Sequence, residues 1–446
     1  MSESSLRELG MDLLEERQFE RGLAVFAESV RRRPSDHRSR MLAARCLAEL
    51  GERERAVTAY HACAEGLLRR DYLLSAMAAC KLALELAPQE RRIKDTLVRI
   101  HSRAVRSAPG RASVPPPLPP DPLFEGKVET DLMEFMGEEL ISRVLEVLAA
   151  PDPGGQADPN SRPPLPLFAD LEREAFLDLV QRMTWRSVPT DTVISQEGDP
   201  GDALHVIVAG KAEVSRLVDG QRKTLGRLGG GSIFGELSLI TGTPPTASVS
   251  TVVDTEVFEI RREHLNVMAR SFPSVPQVLA EFAQQRMARN MIASSPLFQQ
   301  LPESERSALL GRFTFRALQP RDKALTEGEL SPGLFLVLAG ELVVQKEDPA
   351  GGVVSLGILR EGEVAGEISL LTGVPATATV VATRKTATAF IDRAAFAELV
   401  KEYPTIHTYL EQLSERRQKQ TAEALRPAEI IDADELVIGS DTAQAS

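Results

Sequence analysis

Two stretches of the chain set the same residue types at the same spacing: FGELSLITGTPPTASVS at 234–250 and AGEISLLTGVPATATVV at 365–381. Each opens on a glycine followed by a carboxylate, Gly235-Glu236 and Gly366-Glu367, continues through an apolar turn and ends in a Thr/Ser-rich run. Glycine lets a backbone come close to another group, main-chain amides at the start of a helical turn face an anion, and hydroxyls can donate or accept. That is chemistry for holding a small polar molecule.

Bond-breaking chemistry finds no support elsewhere. The six histidines, His37, His61, His101, His205, His264 and His407, are scattered and contain no i, i+4 ligand pair, so no metal site is expected. No kinase, cyclase or P-loop signature is present, and the chain is read as non-enzymatic. A net charge of -12 argues against a general affinity for nucleic acid, which is driven by Lys and Arg. The amino terminus lacks a signal-peptide pattern and no apolar run reaches about 18 residues, so a cytoplasmic protein without a membrane span is expected.

At 446 residues the chain calls for several cores. Residues 4–106 carry apolar and small residues at three- and four-residue steps, interrupted by turns, which predicts six helices in three hairpins. Cys46, Cys63 and Cys80 recur every 17 residues, too far apart for a CxxC site, and are read as small buried residues at helix crossings. The order Leu9-Gly10, Leu13, Gly22, Phe26, Ser29 and Pro34, with partial echoes downstream, resembles the tetratricopeptide (TPR) repeat. That resemblance implies a helical solenoid over 1–106 that engages a protein partner. RRRPS at 31–35 falls at the end of a predicted helix, where basic residues complement the helix dipole.

A Pro-rich linker is expected over 107–165, containing one amphipathic helix at 128–149 whose stripe is Leu132, Phe135, Met136, Leu140, Val144 and Leu148. From Pro166 the chain repeats itself. Pro166-Leu167-Phe168 matches Pro296-Leu297-Phe298 and Gly210 matches Gly340 at an offset of 130, which becomes 131 by Gly235-Glu236 and Gly366-Glu367. Self-similarity of this length means two copies of one domain, placed at 166–292 and 293–420, with an acidic flexible tail at 421–446. Short β-branched runs punctuated by glycine, with helices at the ends, predict an antiparallel β-barrel or jelly roll in each copy. The fold class expected is thus α+β and multidomain.

The order PLF, EGDPGDALHVIVAGKAEV, FGELSLITGTPPTASV resembles the cyclic nucleotide-binding domain of catabolite-activator-type regulators and of the cyclic AMP-dependent kinase regulatory subunit. The resemblance implies a phosphate-binding cassette in each copy and assigns Glu236 and Glu367 to a ribose 2'-hydroxyl. It implies ligand contacts from Phe234, Gly235, Glu236, Leu237 and Ser238, and from Pro245, Thr246, Ala247 and Ser248. In the second copy the matching positions are Gly366, Glu367, Ile368 and Ser369, then Ala376, Thr377, Ala378 and Thr379. Where the family places the arginine that pairs with the phosphate, this chain has Pro245 and Ala376. Losing one charge-assisted hydrogen bond weakens such a ligand roughly 10- to 150-fold unless another group substitutes, and Arg227 is the nearest arginine in sequence.

No helix-turn-helix follows the second copy, so DNA binding is not expected. The functional expectation is a signalling adaptor. It would sense cAMP, cGMP or a related messenger, with no cofactor, and change the helices at 262–292 or 393–420; a homodimer is compatible with it. The competing expectation is a scaffold whose cassettes are empty and whose β-domains only bind proteins.

Overall fold

Small residues decide how the first helices stack. In the computed structural model, which describes residues 4–105, 123–124, 131–150, 165, 167–218, 220–283, 295–302, 305–306, 309, 311–347 and 352–424, six helices run through the amino-terminal region. They are α1 (Leu6–Glu15), α2 (Phe19–Arg32), α3 (His37–Glu49), α4 (Arg53–Arg69), α5 (Leu73–Leu86) and α6 (Arg91–Val105), each packed on its predecessor. A Cβ added to Gly10 would lie 2.4 Å from the Phe26 ring, and Gly22 sits 3.5 Å from the Cys46 sulfur by the same construction. Cys46, Cys63 and Cys80 are buried, as their spacing suggested, and burial pushes the Cys46 and Cys63 thiols up to about 12. Such thiols stay protonated and serve as packing groups.

The turns between these helices are held by polar groups. Asp36 caps α3: its carboxylate accepts from the Ser39 amide at 3.1 Å and hydroxyl at 2.7 Å, from Ser29 Oγ at 2.8 Å and from Arg7 Nη2 at 3.0 Å. Asp71, at φ +61, takes both prongs of Arg103 at 2.9 and 2.8 Å. Arg31 and Arg32 occupy the last turn of α2, and both pair with Glu28.

The linker helix α7 is shorter than the sequence suggested, spanning Gly137–Ala149, because Gly137 takes φ +56 and residues Asp131–Glu134 form a separate 3-10 turn. Its stripe of Leu140, Ile141, Val144 and Leu148 is buried against α2 and α4. Arg40 of α3 donates to the carbonyls of Leu148 and Ala150 at 2.5 and 3.0 Å. Met136, expected in that stripe, is 75% exposed.

The first β-domain contains two four-stranded antiparallel sheets. One runs Thr184–Val188, Thr255–Arg261, Ala203–Ala209, Ile233–Phe234; the other runs Val193–Ser195, Ser248–Thr251, Lys211–Val218, Gln221–Gly229. The expected barrel is not closed: these are two facing sheets in a jelly-roll arrangement. Alternation along Ala203–Ala209 divides its residues between two cores. Ile207 joins Val188, Phe234, Val249 and Val257 between the sheets, whereas Leu204, Val206 and Val208 join the core of the helical region. A strand buried on both faces reads as one apolar run, as LHVIV does.

That shared core makes the helices and first β-domain one unit, Met1–Met287. Lys81 Nζ donates to the Gln181 carbonyl at 2.8 Å, Arg38 pairs with Glu256 at 3.0 Å, and His101 stacks on Phe176 at 4.8 Å. The second unit, Ala288–Ser446, repeats the sheets as Thr314–Leu318, Thr386–Asp392, Gly333–Ala339, Val364–Ala365 and Lys323–Leu325, Thr379–Ala382, Leu342–Glu347, Val353–Leu359. Its last helix, Pro404–Ala424, extends past the expected start of the tail at 421; residues 425–446 lie outside the described residues, as does most of the linker over 107–165. Among the described residues, no helix is long and apolar enough to cross a membrane, and no cluster of three or more metal-ligating side chains occurs.

Candidate functional site

Each cassette is a two-residue strand, a left-handed glycine and a short helix. Gly235 (φ +86) precedes helix Glu236–Thr241, and Gly366 (φ +99) precedes helix Glu367–Thr372. Both helices stop at another left-handed glycine, Gly242 or Gly373. The glycines at the helix start are required for a reason other than ligand approach. A Cβ there would lie 2.4 Å from the Ala203 carbonyl oxygen in the first copy and 2.5 Å from that of Gly333 in the second. The close approach is therefore to the chain's own neighbouring strand.

The carboxylates open the helices and are almost wholly buried, Glu236 at 4% exposure and Glu367 at 2%. Ser238 and Ser369 are buried one turn in. Leu237 and Ile368 are half-buried, and Phe234, stacked on His205 at 4.9 Å, is held in the first copy's core where the second copy has Ala365. Desolvation lowers His205 to about 4 despite Glu259 at 3.9 Å, so the imidazole beneath the cassette is neutral at pH 7.

The distal half of each cassette is less available than its residue types suggested. Ser248 Oγ accepts from the Glu197 amide at 2.9 Å and Thr379 Oγ1 from the Glu327 amide at 3.0 Å, so both hydroxyls already brace the preceding loop. Pro245, Thr246 and Ala247 are half-buried; Ala376 and Ala378 are buried, while Thr377 is exposed. A cation does stand beside each corner, from a strand. Arg216 Nε donates to the Thr246 carbonyl at 2.6 Å, and Lys346 Nζ to the equivalent Thr377 carbonyl at 2.8 Å. These cations also pair with Glu197 and Glu327 respectively. Arg227 does not fill the corner: its side chain is 74% exposed on the outer hairpin, 3.9 Å from Glu213.

A second repeated arginine ties each cassette to the helix that follows its β-domain. Arg262 Nη2 donates to the Gly201 and Ser238 carbonyls at 3.1 and 3.0 Å. Arg393 donates to the Ser331 carbonyl at 3.1 Å and to Ser369 Oγ at 3.2 Å. These pairs keep the same 130 and 131 offsets as the cassettes, a signal present in the sequence.

In the second copy the cassette forms the wall of a cavity of about 200 Å3. Glu367, Ser369, Ala376 and Ala378 line one side, and Arg417 and Gln420 of the last helix line another. Arg417 Nη1 donates to Glu367 Oε1 and to the Val364 carbonyl, each at 2.7 Å. Nothing in local sequence marks Arg417, which is far from the cassette along the chain.

Two β-sheets with an inserted Gly-Glu helix and trailing helices, occurring twice, define the class. Residues 185–272 and 315–403 each match the family model described as the cyclic nucleotide-binding domain, so the chain carries this domain in tandem. The relatives include cAMP-dependent protein kinase regulatory subunits and a cGMP-dependent protein kinase. The chain is 28% identical over 236 residues to the cAMP-dependent protein kinase regulatory subunit of Yarrowia lipolytica, covering 52% of this chain and 58% of that protein. It is 25% identical over 244 residues to human cGMP-dependent protein kinase 2, covering 54% of this chain and 30% of that one. The chain thus spans little more than half the length, or less, of the curated relatives it matches. Among solved structures, the regulatory domain of Toxoplasma gondii PKA with cAMP is similar at 22% identity, covering 56% of this chain and 92% of that chain, with a TM-score of 0.28. A regulatory subunit of a cAMP-independent protein kinase A from Trypanosoma brucei is similar at 22% identity over 58% of this chain and 91% of that chain, with a TM-score of 0.28.

Proposed function

We propose that the chain is a non-enzymatic regulator that senses a cyclic nucleotide, cAMP, cGMP or a related messenger, through its tandem domains and passes the signal to a protein partner. The observation that carries the reading is the buried carboxylate of Glu367 on the wall of an open cavity. Arg417 uses one oxygen of this buried acid, and a ribose hydroxyl suits the acceptor capacity that is left. Binding would act on the helices beyond each β-domain, because Arg262 and Arg393 join the cassette to their first turns. The helical region, read as TPR-like, would hold the partner on surfaces left free by α7 and the first β-domain, in a cytoplasmic protein compatible with a homodimer. The regulatory subunits among its relatives support a kinase as the class of partner.

The second reading is a scaffold with empty cassettes. It is favoured by Pro245 and Ala376 at the arginine position and by the commitment of Ser248 and Thr379 to the protein itself. Calorimetric titration of the full chain with cAMP, cGMP and cyclic dinucleotides separates the two. Saturable binding is expected; its absence for every messenger leaves the scaffold.

A further inference from the structure

We propose that Arg417 supplies the second cassette with the cation its own loop lacks. The inference deepens the second-domain part of the proposed function and rests on it.

Arg417 projects from helix Pro404–Ala424 with 20% of its side chain exposed. Its guanidinium faces two carboxylates, Glu367 at 2.7 Å and Glu363 at 3.9 Å, and also bonds the Val364 carbonyl just before the cassette glycine. The pair with Glu367 fixes the long helix onto the cassette. Both partners line the cavity that contains Ala376, the position without its arginine. The other nearby cation, Lys346, is spent on Glu327 and the Thr377 carbonyl and does not line that cavity.

Arg417 uses Oε1 of Glu367, and a ribose hydroxyl entering the cavity can donate to the same carboxylate. The guanidinium carries five N–H donors, of which those on Nη1 serve Glu367 and the Val364 carbonyl. A phosphoryl group on the same ligand is the anion for the remaining donors, which the guanidinium fork presents in pairs. The site therefore selects ligands carrying both a ribose hydroxyl and a phosphate. A neutral nucleoside offers the guanidinium no anion.

The test compares the full chain with its Arg417→Gln and Arg417→Lys variants. Calorimetry gives affinities for cAMP, cGMP, adenosine and guanosine, and hydrogen exchange over 364–373 and 404–424 assigns binding to the second domain. Arg417→Gln is expected to weaken the cyclic nucleotides about 10- to 150-fold relative to their nucleosides, with part of the loss recovered in Arg417→Lys. Without ligand, it should also speed exchange over 404–424. Equal weakening of nucleotide and nucleoside, or no change in either, overturns the inference while the sensor reading stands. If none of the four ligands alters exchange in either segment of the unmodified chain, the second-domain sensor reading falls and takes the inference with it.

Discussion

Arg262 Nη2 lies 3.0 Å from the carbonyl oxygen of Ser238, joining the first turn of one helix to the middle of the cassette helix. The same guanidinium reaches the Gly201 carbonyl, so one side chain bridges three separated segments. The second copy repeats the device with Arg393, Ser331 and Ser369. Arg262→Met should therefore loosen the cassette more than the sheets. We expect faster hydrogen exchange over 236–241 and a loss of about 1.5–3 kcal/mol in urea unfolding, the range for a hydrogen bond to a charged group. Unchanged protection at 236–241 would deny Arg262 its bridging role.

Restoring the family arginine tests whether each corner still accepts a phosphate. Pro245→Arg and Ala376→Arg should raise cyclic nucleotide affinity about 10- to 150-fold in calorimetric titration. The effects will differ between copies. Ala376 belongs to the apolar core of its domain, so its replacement must also push a long side chain out toward the cavity.

His205 provides a pH signature. Burial depresses it to about 4, so between about 6.5 and 4 the unfolded chain binds a proton that the folded chain refuses. Stability from this group is present in full above pH 6.5 and is lost as pH falls toward 4, by an amount on the order of 3 kcal/mol. Glu259 acts in the same direction at lower pH: burial would raise its carboxyl, but Arg186 and Arg261 hold it below its usual range. Denaturant melts of His205→Gln should show a flatter slope between pH 6.5 and 4 than the parent chain. An unchanged slope would mean that other groups set it.

Asp36 tests the helical region. Burial opposes its charge, but Arg7 and the Ser39 and Ser29 hydrogen bonds win and hold the carboxyl below its ordinary value. Asp36→Ala removes the cap of α3 and the carboxylate that pairs with Arg7, so a loss of about 3 kcal/mol is expected from thermal or urea unfolding. Because the helices share a core with the first β-domain, both should unfold in one transition. Separate transitions in circular dichroism and Trp185 fluorescence would show that the shared core does not couple them.

Much was legible because it repeats. The doubled Gly-Glu motif, the offsets of 130 and 131, and the periodic cysteines are one-dimensional records of local needs: a left-handed glycine, a strand hairpin, a small residue where two helices cross. Alternation could not reveal that the first β-domain packs a second face on the helices, since a doubly buried strand has no polar side to display. Likewise the stripe of α7 announced a need for a partner, but only packing shows that α2 and α4 provide it.

By itself the sequence determined that two copies of one β-domain follow a helical region, and that both cassettes keep glycine and glutamate but lack the arginine. Only the tertiary structure decided what surrounds those carboxylates. It carries Arg417 from a distant helix onto Glu367 and leaves Arg227 out on a hairpin. Electrostatic partners are chosen by distance in space, and a guanidinium on a long side chain carries no local pattern to say which carboxylate it will meet.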